Sequence, residues 1–334
     1  MTRKSSTYRE LVAALAFVAL LGLLLIPVLA RARADALLAS CQNNFKQFAL
    51  VFQMYYNESP RELYPPPVLL TRPALEDCGG PASAQRPKFM LETIPDPATL
   101  YPDYVSDPGL FYCPTQPRGS YAGDFEKRCA QPGLGQRAGP GSYVYFGFLL
   151  NRADTVTGAL VPMSTIQPAL EALEIQPTPG DPMISAQMAA WFVQLTYNFL
   201  SQGENALQET VDINAVLQDR IRATVLAGGG EHPLGNTLSK RNRNTLYPLR
   251  AGVERFIIPD HASGPGASVK MRSDVWVLLD WPAPQADGGH PRGANVLYLD
   301  GHTRFFGFPD DDAMHAPQPV NAPIANFLRA LRGG

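Results

Sequence analysis

Residues 11–30 contain no charged side chain, and this unbroken apolar run limits what the chain can fold into more than any other feature. A helix rises about 1.5 Å per residue, so roughly 20 residues cover the hydrocarbon core of a bilayer, about 30 Å thick. The spacing therefore predicts a membrane-crossing helix. Arg3, Lys4 and Arg9 precede the run and Arg31 and Arg33 follow it, so the flanking charge gives only a weak orientation signal. A cleaved secretory signal is the rival reading. Ala30, Ala32 and Ala34 would supply its small residues, although the apolar span exceeds the usual length for such a segment.

Apolar periodicity continues beyond the span in a different form. Leu38, Cys41, Phe45, Phe48, Phe52 and Tyr55 recur every three or four residues, a single helical stripe, with Gln42, Asn43, Lys46 and Gln53 lying off it. Asn57, Ser59 and Pro60 supply breaker chemistry, so one helix is expected over residues 8–58, on the order of 75 Å long. Its first half is a membrane anchor and its second half an amphipathic spine.

Glu10 stands just before the apolar run, and Pro27 follows it by seventeen positions. In these two residues the N-terminus resembles the prepilin-type helix of type IV pilins and type II secretion pseudopilins. The resemblance implies that Glu10 meets the N-terminal amine of a neighbouring subunit and helps set the axial register of a filament. A carboxylate at the membrane edge is costly without such a partner; an ordinary interfacial charge is the plainer alternative. The family carries a glycine before its processing point, whereas this chain reads Ser5-Ser6-Thr7-Tyr8-Arg9-Glu10. A prepilin peptidase would have to cut between Ser5 and Ser6. Without that cut the protein keeps a cytoplasmic N-terminus and a single membrane pass.

The 28 Lys and Arg against 30 Asp and Glu give a net charge of −2, so no overall field draws the chain to nucleic acid. Pro 32 and Gly 28 point to a head rich in turns. Four cysteines, Cys41, Cys78, Cys113 and Cys129, lack the close spacing of a zinc site and suit disulfides better. Four cysteines allow three connectivities, and the sequence alone does not choose among them.

Within the head, residues 60–87 read as an ordered loop crossing from the spine. Residues 142–150, aromatic and β-branched, read as a central strand. Residues 182–228 read as a pair of helices divided at Gly203, carrying Met188, Trp191, Phe192, Leu195 and Phe199 and then Val211, Val216, Leu217, Ile221 and Val225. We expect this pair to be an insertion on the frame. The glycines at 228–230 lack the sequence of a phosphate loop and read as a flexible turn. Two further strands are expected from residues 245–260 and 275–280. Residues 100–114 resemble a segment that follows the helix in a bacterial subfamily of prepilin-like proteins, where it leads a strand against the spine. That resemblance implies a Cys41–Cys113 bridge, leaving Cys78 to pair with Cys129.

His290 is followed after nine residues by Asp300-Gly301, which resembles the C-terminal His-x9-Asp-Gly motif of prepilin-associated proteins. An Asp-Gly pair between the strand-like runs 295–299 and 302–306 is first of all a type I′ hairpin turn, with His290 bonding a loop or that turn. A divalent metal is the sharper alternative. Asp300, His302 and His290, or Asp310, Asp311 and Asp312, would be its ligands, and calcium the ion, although the acidic triplet lacks alternating oxygen ligands. No nucleophile with a paired base stands out; His261 or His290 with Asp260 or Asp280 would be the acid–base candidates of an enzyme. The expectation is an α+β, type IV pilin-like fold in three parts: residues 1–34 as leader and transmembrane helix, 35–60 as the outer spine, and 61–334 as the head. The expected role is structural, with no cofactor: a subunit or minor component of a filament of pilin-like subunits, anchored in a bacterial inner membrane with its head in the periplasm or on the cell surface. The alternative is an anchored binding module that does not polymerise.

Overall fold

The computed structural model describes residues 3–71, 89–114, 143–153, 159–173, 175, 180–201, 221–222, 234–236, 244–257, 272–280, 293–307 and 322–331. Helix α1 runs unbroken over Arg3–Glu58 and passes through Pro27. At about 1.5 Å per residue it is roughly 84 Å long. It ends at the expected place, where Glu62 adopts φ +54° and the chain turns back. The apolar half is bare: its large apolar side chains from Leu11 to Leu29 lie exposed, and this part of the helix is long and apolar enough to cross a membrane.

The fold is of mixed α+β class with antiparallel sheets. Strands β1 (Pro67–Thr71) and β2 (Phe89–Pro95) form a two-stranded pair, so the expected loop after the spine holds a strand. Strand β3 (Tyr143–Val144) joins a larger sheet, described below. Strands β4 (Leu160–Pro162) and β5 (Met183–Ser185) pair ahead of helix α2 (Ala186–Leu200). Strands β6 (Ile221–Arg222) and β7 (Thr245–Leu246) pair with each other. Strands β8 (Trp276–Asp280), β9 (Gly293–Tyr298) and β10 (Thr303–Gly307) precede helix α3 (Ala322–Leu331). The main sheet has the order β10-β9-β8-β3, every pair antiparallel.

This sheet is covered on both faces. Val277, Leu278, Leu297, Leu299, Tyr143 and Tyr145 face the spine stripe of Cys41, Phe45, Phe48 and Phe52. Trp276, Leu279, Ala294, Val296, Val144 and Phe146 face the layer made by α2 and α3. Burial on two faces explains why β8 reads Trp-Val-Leu-Leu-Asp without polar alternation. Met188, Trp191, Phe192 and Leu195 are all buried, so α2 is a core layer on the far side of the sheet from the spine.

Several expectations are corrected. Residues 142–150 give only the two-residue edge strand β3, because the chain peels away: Tyr145 N donates to Thr93 O at 2.7 Å and Leu149 N to Tyr247 O at 2.9 Å. Gly147, at φ +69°, makes that bend in the left-handed region that glycine tolerates best. Residues 253–256 form a 3-10 turn rather than a strand. Ile221 lies in β6 rather than in a second helix; Gly203, Val211, Val216, Leu217, Val225 and the glycines at 228–230 fall outside the described residues. Residues 108–111 meet the spine as a 3-10 turn capped by Asp107, whose Oδ1 accepts from Gly109 N at 2.8 Å, and not as a strand.

Candidate functional site

Three places carry the residues singled out above: the membrane end of α1, the junction of spine and sheet, and the β9–β10 turn. Ser5, Ser6, Glu10 and Pro27 all lie in α1, with Glu10 exposed at the start of the apolar run. Proline has no N–H, so the carbonyl four residues before Pro27 loses its usual helical donor.

At the junction, Cys41 on the spine is joined to Cys113 by a disulfide, with Cα atoms 5.6 Å apart and the two cysteines 72 positions apart in sequence. The pairing implied by the family resemblance is the one present; Cys78 and Cys129 fall outside the described residues. Both joined cysteines are buried, Cys41 at 0% exposure and Cys113 at 4%. Asn44, one turn further along α1, donates through Nδ2 to Tyr112 O at 3.1 Å and to the Tyr143 hydroxyl at 3.0 Å. These bonds fix the rotation of the spine against the sheet. Burial, reinforced by the Asp280 carboxylate, drives the Tyr143 hydroxyl well above its ordinary pKa, while the Asn44 bond opposes this.

Asp280 ends β8 at 1% exposure, and its Oδ2 accepts from the Asn295 backbone N at 2.9 Å and from Asn295 Nδ2 at 2.7 Å. A carboxylate so enclosed is a strut between two strands and touches no solvent. Its proposed acid–base partners His261 and His290, and Asp260, fall outside the described residues. Among the described residues, one group of three metal-type ligands comes together, Cys41, Cys113 and Asp280, with ligand atoms within 4.8 Å of one another. Its two sulfurs are bonded to each other, so that group is a covalent joint with a carboxylate beside it.

The Asp-Gly turn is built differently from the expected type I′. Gly301 has φ +87° while Asp300 does not share the left-handed region; Gly301 N donates to Tyr298 O at 2.9 Å and Tyr298 N to His302 O at 3.0 Å. This is a three-residue loop, a type I turn followed by a left-handed glycine, and it shifts the turn one residue earlier. Asp300 Oδ1 accepts from His302 N at 3.1 Å and pairs with His302 Nδ1 at 2.6 Å, and the His302 ring stacks on Tyr298 with centroids 4.3 Å apart. Asp300 and His302 thus hold each other and close the turn. His290, Asp310, Asp311 and Asp312, the other expected calcium ligands, fall outside the described residues.

Among the described residues a Cβ on Gly301 would meet only Ala49 Cβ of the spine, at 3.6 Å, so there is room for a methyl but the backbone is unfavourable. Gly301→Ala is expected to destabilise the head by about 1–2 kcal/mol. Urea denaturation of the solubilised protein measures it; an unchanged midpoint would contradict the turn described here.

Where the turn approaches α1, a crevice of about 420 Å3 opens between the spine and the hairpin. Lys46 and Gln53 come from the spine, Arg272 from the segment before β8, and Tyr298 and Asp300 from the hairpin. Sequence reasoning missed it. Lys46 was recognised only as a polar residue off the helical stripe, and nothing local to Arg272 indicates that three distant segments converge.

Compared with protein-family models, with curated proteins and with solved structures, the chain matches none.

Proposed function

We propose that this chain is a structural, non-enzymatic component of a type IV pilus-like or type II secretion pseudopilus-like filament, held in a bacterial inner membrane by α1 with its head in the periplasm or on the cell surface. The observation that carries this reading is the division of one 56-residue helix: an apolar half that is exposed and, among the described residues, packs on nothing of its own head, and a half bolted into the head by Cys41–Cys113. A bare apolar helix needs lipid or other helices around it. Projecting from a rigid head, it is suited to bundling with copies of itself, and Glu10 at its start gives such a bundle a single polar register mark.

N-terminal sequencing and intact mass of protein from the native membrane test this reading. The expected result is a mature N-terminus at Ser6, with the protein present in sheared filaments, and Glu10→Ala depleting it there while the membrane-bound amount stays constant. Ser5, standing where the family has glycine, favours a second reading, a membrane-anchored binding head that does not polymerise. An uncut chain absent from sheared filaments would favour that reading. Cleavage around residues 30–34 would remove the anchor and defeat both.

A further inference from the structure

We infer that the crevice between α1 and the β9–β10 turn is a binding site for an acidic saccharide, with Lys46 and Arg272 taking a sugar carboxylate and the apolar, tyrosine-edged wall taking the ring. This does not rest on filament membership. A volume of about 420 Å3 lies within the roughly 300–1,000 Å3 of small-molecule sites. Among the described residues neither Lys46 nor Arg272 is held in an ion pair or a hydrogen bond, and both side chains are exposed. Two unengaged cations at one cavity attract an anion, and the planar fork of Arg272 matches a carboxylate edge.

The lining also explains why an anion rather than a cation is selected. Among the described residues its one carboxylate, Asp300, is engaged through Oδ1 by His302, leaving two cations facing one already partnered acid. The Arg272 guanidinium lies close enough to Tyr64 to act on its hydroxyl, which places the charge at the cavity. Glu254 and Asp274 also act on the tyrosines here but do not line the crevice.

The rest of the wall favours a sugar. Phe52, Val277 and Leu299 supply apolar lining, and Tyr56, Tyr64 and Tyr298 add rings that carry hydroxyl groups, Tyr56 stacked on Tyr64 and Tyr298 on His302. Such amphipathic rings match a pyranose, apolar on its C–H face and polar at its rim. Burial pushes the Tyr298 hydroxyl up to about 12, so it stays protonated and able to donate. The turn comes down onto the spine at Ala49, so the crevice suits a compact group rather than an extended peptide strand.

The test is isothermal titration calorimetry of the full chain in nanodiscs, with trigalacturonate as the acidic probe, maltotriose as the neutral one and triglutamate as the peptide one. Trigalacturonate is expected to bind, more weakly as salt rises, and maltotriose to give no heat. A Lys46→Ala/Arg272→Ala variant is expected to lose about tenfold or more in affinity. Both residues are exposed, so this variant should keep the wild-type melting temperature, which shows that lost binding is not lost folding. Absence of trigalacturonate binding would overturn the proposal, as would binding undiminished in the double variant. Triglutamate binding as tightly as trigalacturonate would overturn it in favour of an acidic peptide site.

Discussion

A Cys41→Ala/Cys113→Ala variant is expected to lose about 4 kcal/mol of head stability, because the bridge closes a loop spanning 72 residues and removes that freedom from the unfolded chain. For a unit of this size the melting temperature should fall by roughly 10 °C. The spine should nevertheless stay docked. Phe45 packs edge-on against Tyr143, Phe48 edge-on against Phe111 and Tyr143, and Phe52 at a tilt against Tyr145, none of which depends on the sulfurs. Reductant acting on the native wild type is expected to do much less than the mutations. Both cysteines are buried, and the Asp280 carboxylate beside them disfavours a thiolate, so exchange must wait for opening of the spine–head joint. Calorimetry or circular dichroism in detergent checks the first expectation, and maleimide labelling over a reductant time course checks the second. An unchanged melting temperature would mean that aromatic packing alone holds the spine. Rapid labelling of the native protein would mean that the joint opens locally.

The spine was legible in the sequence because one helix carries its own period: the stripe from Leu38 to Tyr55 and the breakers after it depend on no distant contact. The Cys41–Cys113 pair was not legible from the residues, which leave three connectivities open; only the likeness of residues 100–114 to a known family segment pointed to it. For the Asp300-Gly301 turn, the dipeptide located the reversal but not its register. That register is decided by which residue takes positive φ and by the His302–Asp300 pairing. Residues 142–150 misled because aromatic, β-branched composition marks burial as readily as strand; Phe146 and Phe148 are buried by the α2–α3 layer after the chain has left the sheet. Helix α3 had a signal that went unread. Ile324, Phe327, Leu328 and Leu331 fall at the i, i+3, i+4, i+7 positions of a core-facing helix, with Pro323 in the first turn where a missing N–H is harmless. The acidic-saccharide crevice lies at the other extreme, since its cations are some 226 positions apart in sequence and meet only in the fold.

Trp191 offers the sharpest test of whether α2 is core or accessory. It is fully buried, with Phe146 at 5.2 Å and Phe148 at 5.9 Å between ring centroids, both near edge-to-face, so it joins α2 to the segment leaving the edge strand. Trp191→Ala removes a large side chain and both ring contacts, and is expected to destabilise the head by about 3–5 kcal/mol. Trp191→Phe should behave differently. The indole Nε1 has no hydrogen-bond partner among the described residues, so replacing it by a ring without a donor removes a buried unsatisfied N–H while keeping most of the packing. The Phe variant is therefore expected to cost about 1.5 kcal/mol at most. Chemical denaturation of the three proteins, followed by far-ultraviolet circular dichroism, separates the outcomes. If Trp191→Ala were tolerated as well as Trp191→Phe, α2 would be a detachable element and the sheet would be held by the spine alone. A large loss in the Ala variant only would mean that the spine and the α2–α3 layer clamp one sheet from its two faces. Such a two-sided clamp gives α1 a rigid base from which its apolar half can project as a single body.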